Sequence, residues 1–386
     1  MKKKILFIIP SLMGGGAERT LINLLQLINY DLYEVTLVSV LHKGVYINSI
    51  PADVKYHCLF KNELILKILT KTHQKIDFIY PLSFVFNKKL KSSFDVGISF
   101  LDGIYTELLH SKKDIKKKIA WVHSSYKSYN NFYKFYKNKS YRKRLIEKRY
   151  KKLDTLIFVS NDALMEFKSL FGGFKSMMVI YNPVNPTSIF KKAKEEILID
   201  FPKTSFNFVA VGSLIPVKNY ELLIKAASIL IKRYKDFKIF ILGHGYLESK
   251  LKALITQEGL QNNFELMGFI SNPYPYMLKA DAFIMTSLTE ALPTALCEAM
   301  ILQKPVIVTN VSGCREIVNG GEFGLLCESS EYDIAAKMYQ LITNTDLFEY
   351  YKKKSIERSQ VFDDQLFIQK FYELILDETP PNQLHC

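Results

Sequence analysis

The chain has 386 residues, 48% of them hydrophobic, which is enough material for two domains with separate cores. No apolar run approaches the roughly 18–20 residues that a membrane-spanning helix needs, and the five cysteines (Cys58, Cys297, Cys314, Cys327 and Cys386) are odd in number and lack metal-ligand spacing, which argues against a disulfide framework and for a reducing compartment. The net charge of +14 is lopsided: residues 1–185 carry 31 Lys/Arg against 14 Asp/Glu, whereas the remainder carries 21 against 24.

The start, MKKKILFIIP, is basic and then apolar, like a leader. Its apolar core, Ile5 to Ile9, is shorter than a leader's, so the pattern predicts a buried parallel strand over Lys4 to Ile9. A glycine-rich loop follows, Ser11 to Arg19, and then a helix with Leu21, Leu24, Leu25 and Ile28 at helical spacing. Strand, loop and helix make the first unit of a doubly wound fold. The G-x-G-x-x-G spacing of the dinucleotide fingerprint is absent, so Gly14, Gly15 and Gly16 are either a ligand-approach loop or a plain turn.

Further strands are expected over Tyr33–Val40, Val54–Leu59, Phe94–Phe100 and Ile119–His123, alternating with helical stretches. His123 stands at a strand's C-terminal end, where open α/β sheets place ligands, although a lone histidine is more often structural. The positive charge peaks over 112–152, with 16 Lys/Arg against Asp114 and Glu147. From Tyr126 to Lys152 those cations are interleaved with Tyr126, Tyr129, Phe132, Tyr133, Phe135, Tyr136, Tyr141 and Tyr150. Three readings fit: a solvated helix, a face for an anionic membrane, or a nucleic-acid surface. A strand at Thr155–Ser160, a helix at Asn161–Leu170 and a strand at Met177–Tyr181 complete this half.

Asn182-Pro183-Val184-Asn185-Pro186 breaks the pattern, and polar residues run to Thr204, which marks a linker. The second half restarts with a strand at Phe206–Val211, the turn Gly212-Ser213-Leu214, Lys218, and a helix over Tyr220–Tyr234. Strands follow at Lys238–Leu242, Ala282–Met285 and Pro305–Thr309; His244 reads as a solvated loop residue. Between the last two strands lies SLTEALPTALCEAM, Ser287 to Met300. Pro293 suits a first helical residue, and Leu292, Leu296, Ala299 and Met300 form an apolar stripe. The free N–H groups expected at Thr294 and Ala295 suit a phosphate. Glu290 and Glu298 bracket the turn, and Glu298 either receives hydroxyls beside that anion or sits on a solvated face. A last helix is expected over Asp364–Leu376, with Asp377 to Cys386 fraying beyond it.

Taken together these strings resemble the family 4 retaining glycosyltransferases. EALPTALCEAM, Glu290 to Met300, is similar to the family's glutamate-x7-glutamate segment, with Ala291 where Gly is usual. Gly15-Gly16-Ala17-Glu18-Arg19 resembles its glycine loop, Trp121-Val122-His123 its W-x-H, and Asn182 to Asn185 its interdomain string. Gly212-Ser213-Leu214 through Lys218-Asn219 resembles its G-R-L-x-x-x-K segment, with Ser213 in place of the Arg. The resemblance implies an α/β GT-B fold: two Rossmann-like doubly wound domains facing each other across a cleft. It implies an acceptor-side domain at 1–182, a linker at 183–204, a donor-nucleotide domain at 205–362, and a helix at 363–386 crossing back to the first domain.

The resemblance further implies a nucleotide-diphosphate sugar of the UDP class as donor. Gly15, Gly16, Ser213, Lys218, Leu292, Pro293, Thr294, Ala295 and Glu298 would bind it, and His123 and Glu290 would act at the reacting sugar. No cofactor or metal is expected. The implied partners are a glycan or lipid-linked acceptor and an anionic membrane surface reached through 112–152, on the cytoplasmic inner face; nucleic acid is not expected. An epimerase or phosphorylase on the same scaffold, and a membrane- or RNA-binding protein with a degenerate transferase core, are the alternatives.

Overall fold

The computed structural model describes residues 2–64, 80–125, 138–197, 199 and 201–376. The chain divides into two compact units, Met1–Pro183 with Asp364–Cys386, and Val184–Asp363.

The first unit is built on seven parallel strands: β1 (Lys3–Ile9), β2 (Tyr33–Leu41), β3 (Lys55–Phe60), β4 (Phe94–Ser99), β5 (Ile115–Val122), β6 (Thr155–Phe158) and β7 (Met177–Val179). Their order is β3-β2-β1-β4-β5-β6-β7, so the winding reverses between β1 and β4. Ile5 to Ile9 are fully buried, as a central strand covered on both faces requires. Among the described residues its helices are α1 (Gly16–Leu27), α2 (Tyr80–Lys89), α3 (Ile104–Ser111), α4 (Lys139–Leu145) and α5 (Asn161–Phe171). Asn138 and Ser160 cap α4 and α5 by accepting from Tyr141 N and Ala163 N.

Strand β5 starts four residues before the apolar run, at Ile115, because Lys116, Lys117 and Lys118 occupy its N-terminal end, where long stems reach polar partners. It stops at Val122, so His123 lies just beyond it. Part of the basic run over 112–152 is committed internally. Lys112 is buried and donates to Leu90 O at 2.9 Å, Lys117 Nζ donates to Leu374 O at 2.7 Å, and Arg149 is paired with Glu107 at 2.7 Å. Tyr150 sits among Phe167, Phe171 and Phe174. A π-helical turn over Ile146–Tyr150 follows α4 and carries Arg149 to Glu107 and the Tyr150 hydroxyl to Asp102 Oδ2 at 3.0 Å. Tyr126, Tyr129, Phe132, Tyr133, Phe135 and Tyr136 lie outside the described residues.

The second unit has six parallel strands: β8 (Phe206–Val211), β9 (Phe237–Leu242), β10 (Phe264–Leu266), β11 (Ala282–Met285), β12 (Val306–Thr309) and β13 (Leu325–Cys327), ordered β10-β9-β8-β11-β12-β13. The winding reverses between β8 and β11, which pair Ala282 with Phe208 and Phe283 with Val209. Its helices are α6 (Pro186–Lys192), α7 (Tyr220–Leu230), α8 (Glu248–Gln257), α9 (Tyr274–Lys279), α10 (Thr294–Ile301), α11 (Cys314–Ile317), α12 (Glu331–Thr343) and α13 (Thr345–Ser359). The stretch read as a linker falls within this unit from Val184 on, and among its described residues Asn185 caps α6 by accepting from Ser188 N, with Pro186 in the first turn. Strand β13 and helices α12 and α13 were not picked out from the sequence.

The final helix, α14 (Asp364–Leu376), joins the first unit. Phe371 stacks on Phe7 and Phe367 tilts against Trp121. Lys3 and Lys117 donate to the carbonyls of Ile375 and Leu374, placing two cations at the negative end of the helix. The segment Asp377 to Cys386 lies outside the described residues. Among the described residues Cys58, Cys297, Cys314 and Cys327 are free thiols, and no helix is long and apolar enough to cross a membrane.

Candidate active site

In an open parallel sheet, the turns leaving two strands on either side of a winding reversal diverge and open a crevice at the C-terminal ends. In the second unit these turns follow β8 and β11, and they are stitched together. Leu288 N–H donates to Val217 O at 2.8 Å, and Thr286 Oγ1 donates to the carbonyls of Lys218 and Asn219, each at 3.2 Å. Asn219 takes the left-handed conformation (φ 51°), ending the turn that carries Lys218 and starting α7.

That stitching brings together two residues 72 positions apart. Lys218 Nζ lies 2.6 Å from Glu290 Oε1, and Ser287 Oγ donates to the same oxygen at 2.7 Å. The pair is mostly buried, with side chains 21% and 13% exposed. Burial first, and the Glu290 charge second, push the Tyr220 hydroxyl and the Cys314 thiol up, so neither ionises near neutrality. Gly313 closes the loop from the other side. Its φ is +72°, and a Cβ there would sit 2.7 Å from Glu290 O and 2.8 Å from Ala291 O. Only glycine lets the chain pass so close.

Helix α10 begins at Thr294, one residue later than expected. Pro293 is its cap, with ψ 96° in the extended region. The Pro293 carbonyl accepts from Leu296 N and Cys297 N, at 3.0 and 3.3 Å. Proline offers no side-chain oxygen to cap the first turn. Among the described residues, none accepts from Thr294 N–H or Ala295 N–H, so the helix start presents two open amides and its positive dipole end. Leu292 is buried beneath this turn. Glu298, one turn along, is only 4% exposed, which removes the solvated-face reading; Tyr274 Oη donates to its Oε1 at 3.1 Å. Ser213 lies in the β8 turn, whose backbone is locked to the β9 turn by Leu214 N–H donating to His244 O at 2.9 Å. The ring of His244 is exposed, as read from the sequence, and meets Phe269 edge-on at 5.6 Å.

In the first unit the reversal lies between β1 and β4, and the glycine loop leaves β1 there. Gly15 is the cap of α1. Glu18, three residues on, turns back to hydrogen-bond the Gly15 backbone, and a Cβ on Gly15 would meet its Oε2 at 2.3 Å. This is the carboxylate half of a capping box, so Gly15 has a structural task of its own. Burial pushes the Glu18 carboxyl up against those backbone bonds, and burial with the nearby Glu18 charge pushes Tyr105 up to about 12. His123 packs between Phe100, at 4.9 Å, and Trp121, at 5.9 Å. Its Nε2 is buried and has no partner among the described residues, and desolvation pushes the ring down to about 3. His123 is therefore a neutral imidazole at physiological pH, with one ring nitrogen unsatisfied.

A family model for group 1 glycosyl transferases matches residues 192–358. Over 374 residues the chain is 30% identical to the N-acetylgalactosamine-N,N'-diacetylbacillosaminyl-diphospho-undecaprenol 4-alpha-N-acetylgalactosaminyltransferase of Campylobacter jejuni, covering 94% of this chain and 96% of that one. The chain belongs to the group 1 glycosyltransferases. A second C. jejuni relative, GalNAc-alpha-(1->4)-GalNAc-alpha-(1->3)-diNAcBac-PP-undecaprenol alpha-1,4-N-acetyl-D-galactosaminyltransferase, is 26% identical over 351 residues, 89% of this chain and 90% of that one. The crystal structure of Anabaena Alr3699/HepE in complex with UDP and glucose superposes with a TM-score of 0.74 at 18% identity, covering 97% of this chain and all of that one, which shows the shared GT-B fold of two Rossmann-like domains.

Several residues that shape the site of this glycosyltransferase were not singled out from the sequence. Ser287 and Gly313 serve Glu290, and Tyr274 serves Glu298. Ser287 lay in the motif and is three residues from Glu290, so its partner was within reach of local reasoning. Tyr274 and Gly313 are separated from the carboxylates they serve by 24 and 23 positions, and no local spacing announces them.

Proposed function

We propose that this glycosyltransferase moves a sugar, with retention at the anomeric carbon, from a nucleotide-diphosphate sugar of the UDP class to a hydroxyl of a lipid-linked glycan in cell-surface polysaccharide synthesis. The observation that carries the reading is the Lys218–Glu290 pair beside the open amides of Thr294 and Ala295 at the β8/β11 reversal. Cation, carboxylate and helix start there match the three parts of a donor at its breaking bond: the anionic diphosphate, the sugar hydroxyls and the bridging oxygen.

In this mechanism the Thr294 and Ala295 N–H groups, the Lys218 ammonium and the Ser213 hydroxyl stabilise the charge that develops on the diphosphate as the C1–O bond breaks. Leu292 and Pro293 shape the turn that presents those amides. Glu290 accepts from donor-sugar hydroxyls, which requires it to exchange part of its bond with Lys218. Glu298 accepts from the ribose hydroxyls. His123, neutral and with an unsatisfied nitrogen, hydrogen-bonds the donor sugar, and Gly15 and Gly16 form the backbone wall near it. The acceptor oxygen bonds to C1 on the face the diphosphate leaves, and its proton passes to the departing phosphate oxygen. Lys218 and the helix amides carry the charge, without a metal step.

The acceptor class rests on the C. jejuni relatives, whose names specify diphospho-undecaprenol-linked sugars. An acceptor of that kind would keep the enzyme on the inner, cytoplasmic face of a membrane. Lys139, Lys143, Arg144, Lys151 and Lys152 are the cations of the 112–152 run best suited to anionic lipid, since Lys112 and Arg149 are committed internally. The test is a thermal-shift panel of nucleotide sugars followed by turnover of the stabilising donor with an undecaprenyl-diphosphate-linked acceptor. Release of nucleotide and an unchanged anomeric configuration in the product support the reading. An inverted product removes the retaining mechanism, and a panel without any stabilising donor removes the transferase chemistry.

A further inference from the structure

Glu298 has three rotatable bonds and a carboxylate nearly shut off from water. A group in that position costs free energy unless donors reach it, and it cannot meet a ligand reproducibly unless its rotamer is already chosen. Tyr274 answers both needs. It is likewise only 4% exposed, and its hydroxyl donates to Glu298 Oε1 at 3.1 Å. A phenol has a single proton to give, so this bond fixes one carboxylate oxygen and with it the plane of the other.

Tyr274 is itself secured. It opens α9 directly after Pro273, and its backbone N–H donates to Asn272 Oδ1 at 3.3 Å. The amide nitrogen of Asn272 in turn donates to Glu195 Oε2 at 2.7 Å and to Lys192 O at 2.9 Å, at the end of α6. Helix α6 packs against both α9, which carries the phenol, and α10, which carries the carboxylate. Donor and acceptor are thus held by elements that share a common neighbour.

We propose that Tyr274 is a positioning residue for nucleotide binding: by donating to Oε1 it holds the Glu298 carboxylate in the orientation that receives the ribose hydroxyls. This rests on the proposed role of Glu298 at the ribose. Tyr274 acts through Glu298, so its removal is expected to act on the ribose contact.

The experiment is calorimetric titration of wild type, Tyr274→Phe, Glu298→Gln and the double variant with UDP and 2′,3′-dideoxy-UDP, with GDP and ADP and their dideoxy forms in parallel. Thermal melts confirm that each variant folds. Tyr274→Phe is expected to weaken UDP binding by about five- to tenfold, the effect of one buried hydrogen bond. The dideoxy nucleotide is expected to bind wild type and Tyr274→Phe within about twofold of each other, and the double variant to bind UDP no more weakly than Glu298→Gln. Equal losses for ribose and dideoxy ligands, or additive losses in the double variant, overturn the positioning role and leave a structural one. Wild type that fails to prefer UDP to its dideoxy form overturns the ribose role of Glu298, and Tyr274 falls with it. Binding of none of the nucleotides overturns both.

Discussion

Lys218 and Glu290 meet at 2.6 Å although 72 residues separate them, and the contact joins the two turns that diverge from β8 and β11. The Lys218 ammonium and the Glu290 carboxylate therefore neutralise each other. A diphosphate entering beside Thr294 and Ala295 would compete with Glu290 for the ammonium.

Lys218→Ala is expected to lower turnover about 10²–10³-fold, the usual effect of removing one preorganised electrostatic partner of a leaving group. The fold is expected to survive with a loss of about 1–3 kcal/mol, since Glu290 keeps its bond from Ser287. Glu298→Ala is expected to lose most turnover as well. Nucleotide release and circular dichroism check both; wild-type turnover in either variant would remove the assignment.

His123 sets a pH dependence. Its folded value, about 3, lies below the ordinary 6.5, so the unfolded state binds more protons between those values. Stability contributed by the neutral ring is complete above pH 6.5 and is lost as pH falls toward 3. A proton NMR titration should show the His123 ring neutral down to about pH 4, and His123→Asn should flatten the stability loss over that window. A His123 titration near pH 6.5 would show the ring to be hydrated.

Gly313→Ala is expected to destabilise the second unit by about 1–3 kcal/mol, because alanine at φ +72° is strained and its Cβ would press on Glu290 O. Turnover should fall further than stability, since the strain is delivered to the backbone of Glu290. Denaturant midpoints and initial rates measured on the same preparation separate the two effects.

Glu107 and Arg149 form a buried pair on the first unit, 2.7 Å apart with side chains 7% and 15% exposed. Glu107→Gln removes the carboxylate that meets the guanidinium at 2.7 Å, although the Asp102 charge stays nearby. A loss of about 3 kcal/mol is expected, seen as a lower denaturant midpoint. Replacing both residues by leucine should recover much of it, and a double variant as unstable as the single one would show that the pair is not the source.

Reversing the charges of Lys143 and Arg144 to glutamate is expected to weaken binding to anionic vesicles by about 1 kcal/mol or more per residue replaced, while leaving nucleotide affinity unchanged. Co-sedimentation at two salt concentrations provides the check. Vesicle binding that ignores these changes would move the membrane contact elsewhere.

The amino-acid sequence by itself indicated most of the strands and their alternation with helices, because apolar runs, helical spacing and turn chemistry act over a few residues, while Lys218, Glu290, Thr294, Ala295 and Glu298 drew attention through the resemblance of their strings to a family. It misjudged Pro293 by one position, since a cap and a first helical residue differ only in ψ. It left three readings open for 112–152, because composition does not say which lysine stem is drawn to a carbonyl such as Leu90 O or Leu374 O. Which oxygen faces which donor was decided by tertiary structure alone. Lys218 finds Glu290, Tyr274 finds Glu298, and Gly313 slips under Glu290 because parallel strands bring distant turns to one end of a sheet, and burial there raises the cost of leaving a charged group unpaired.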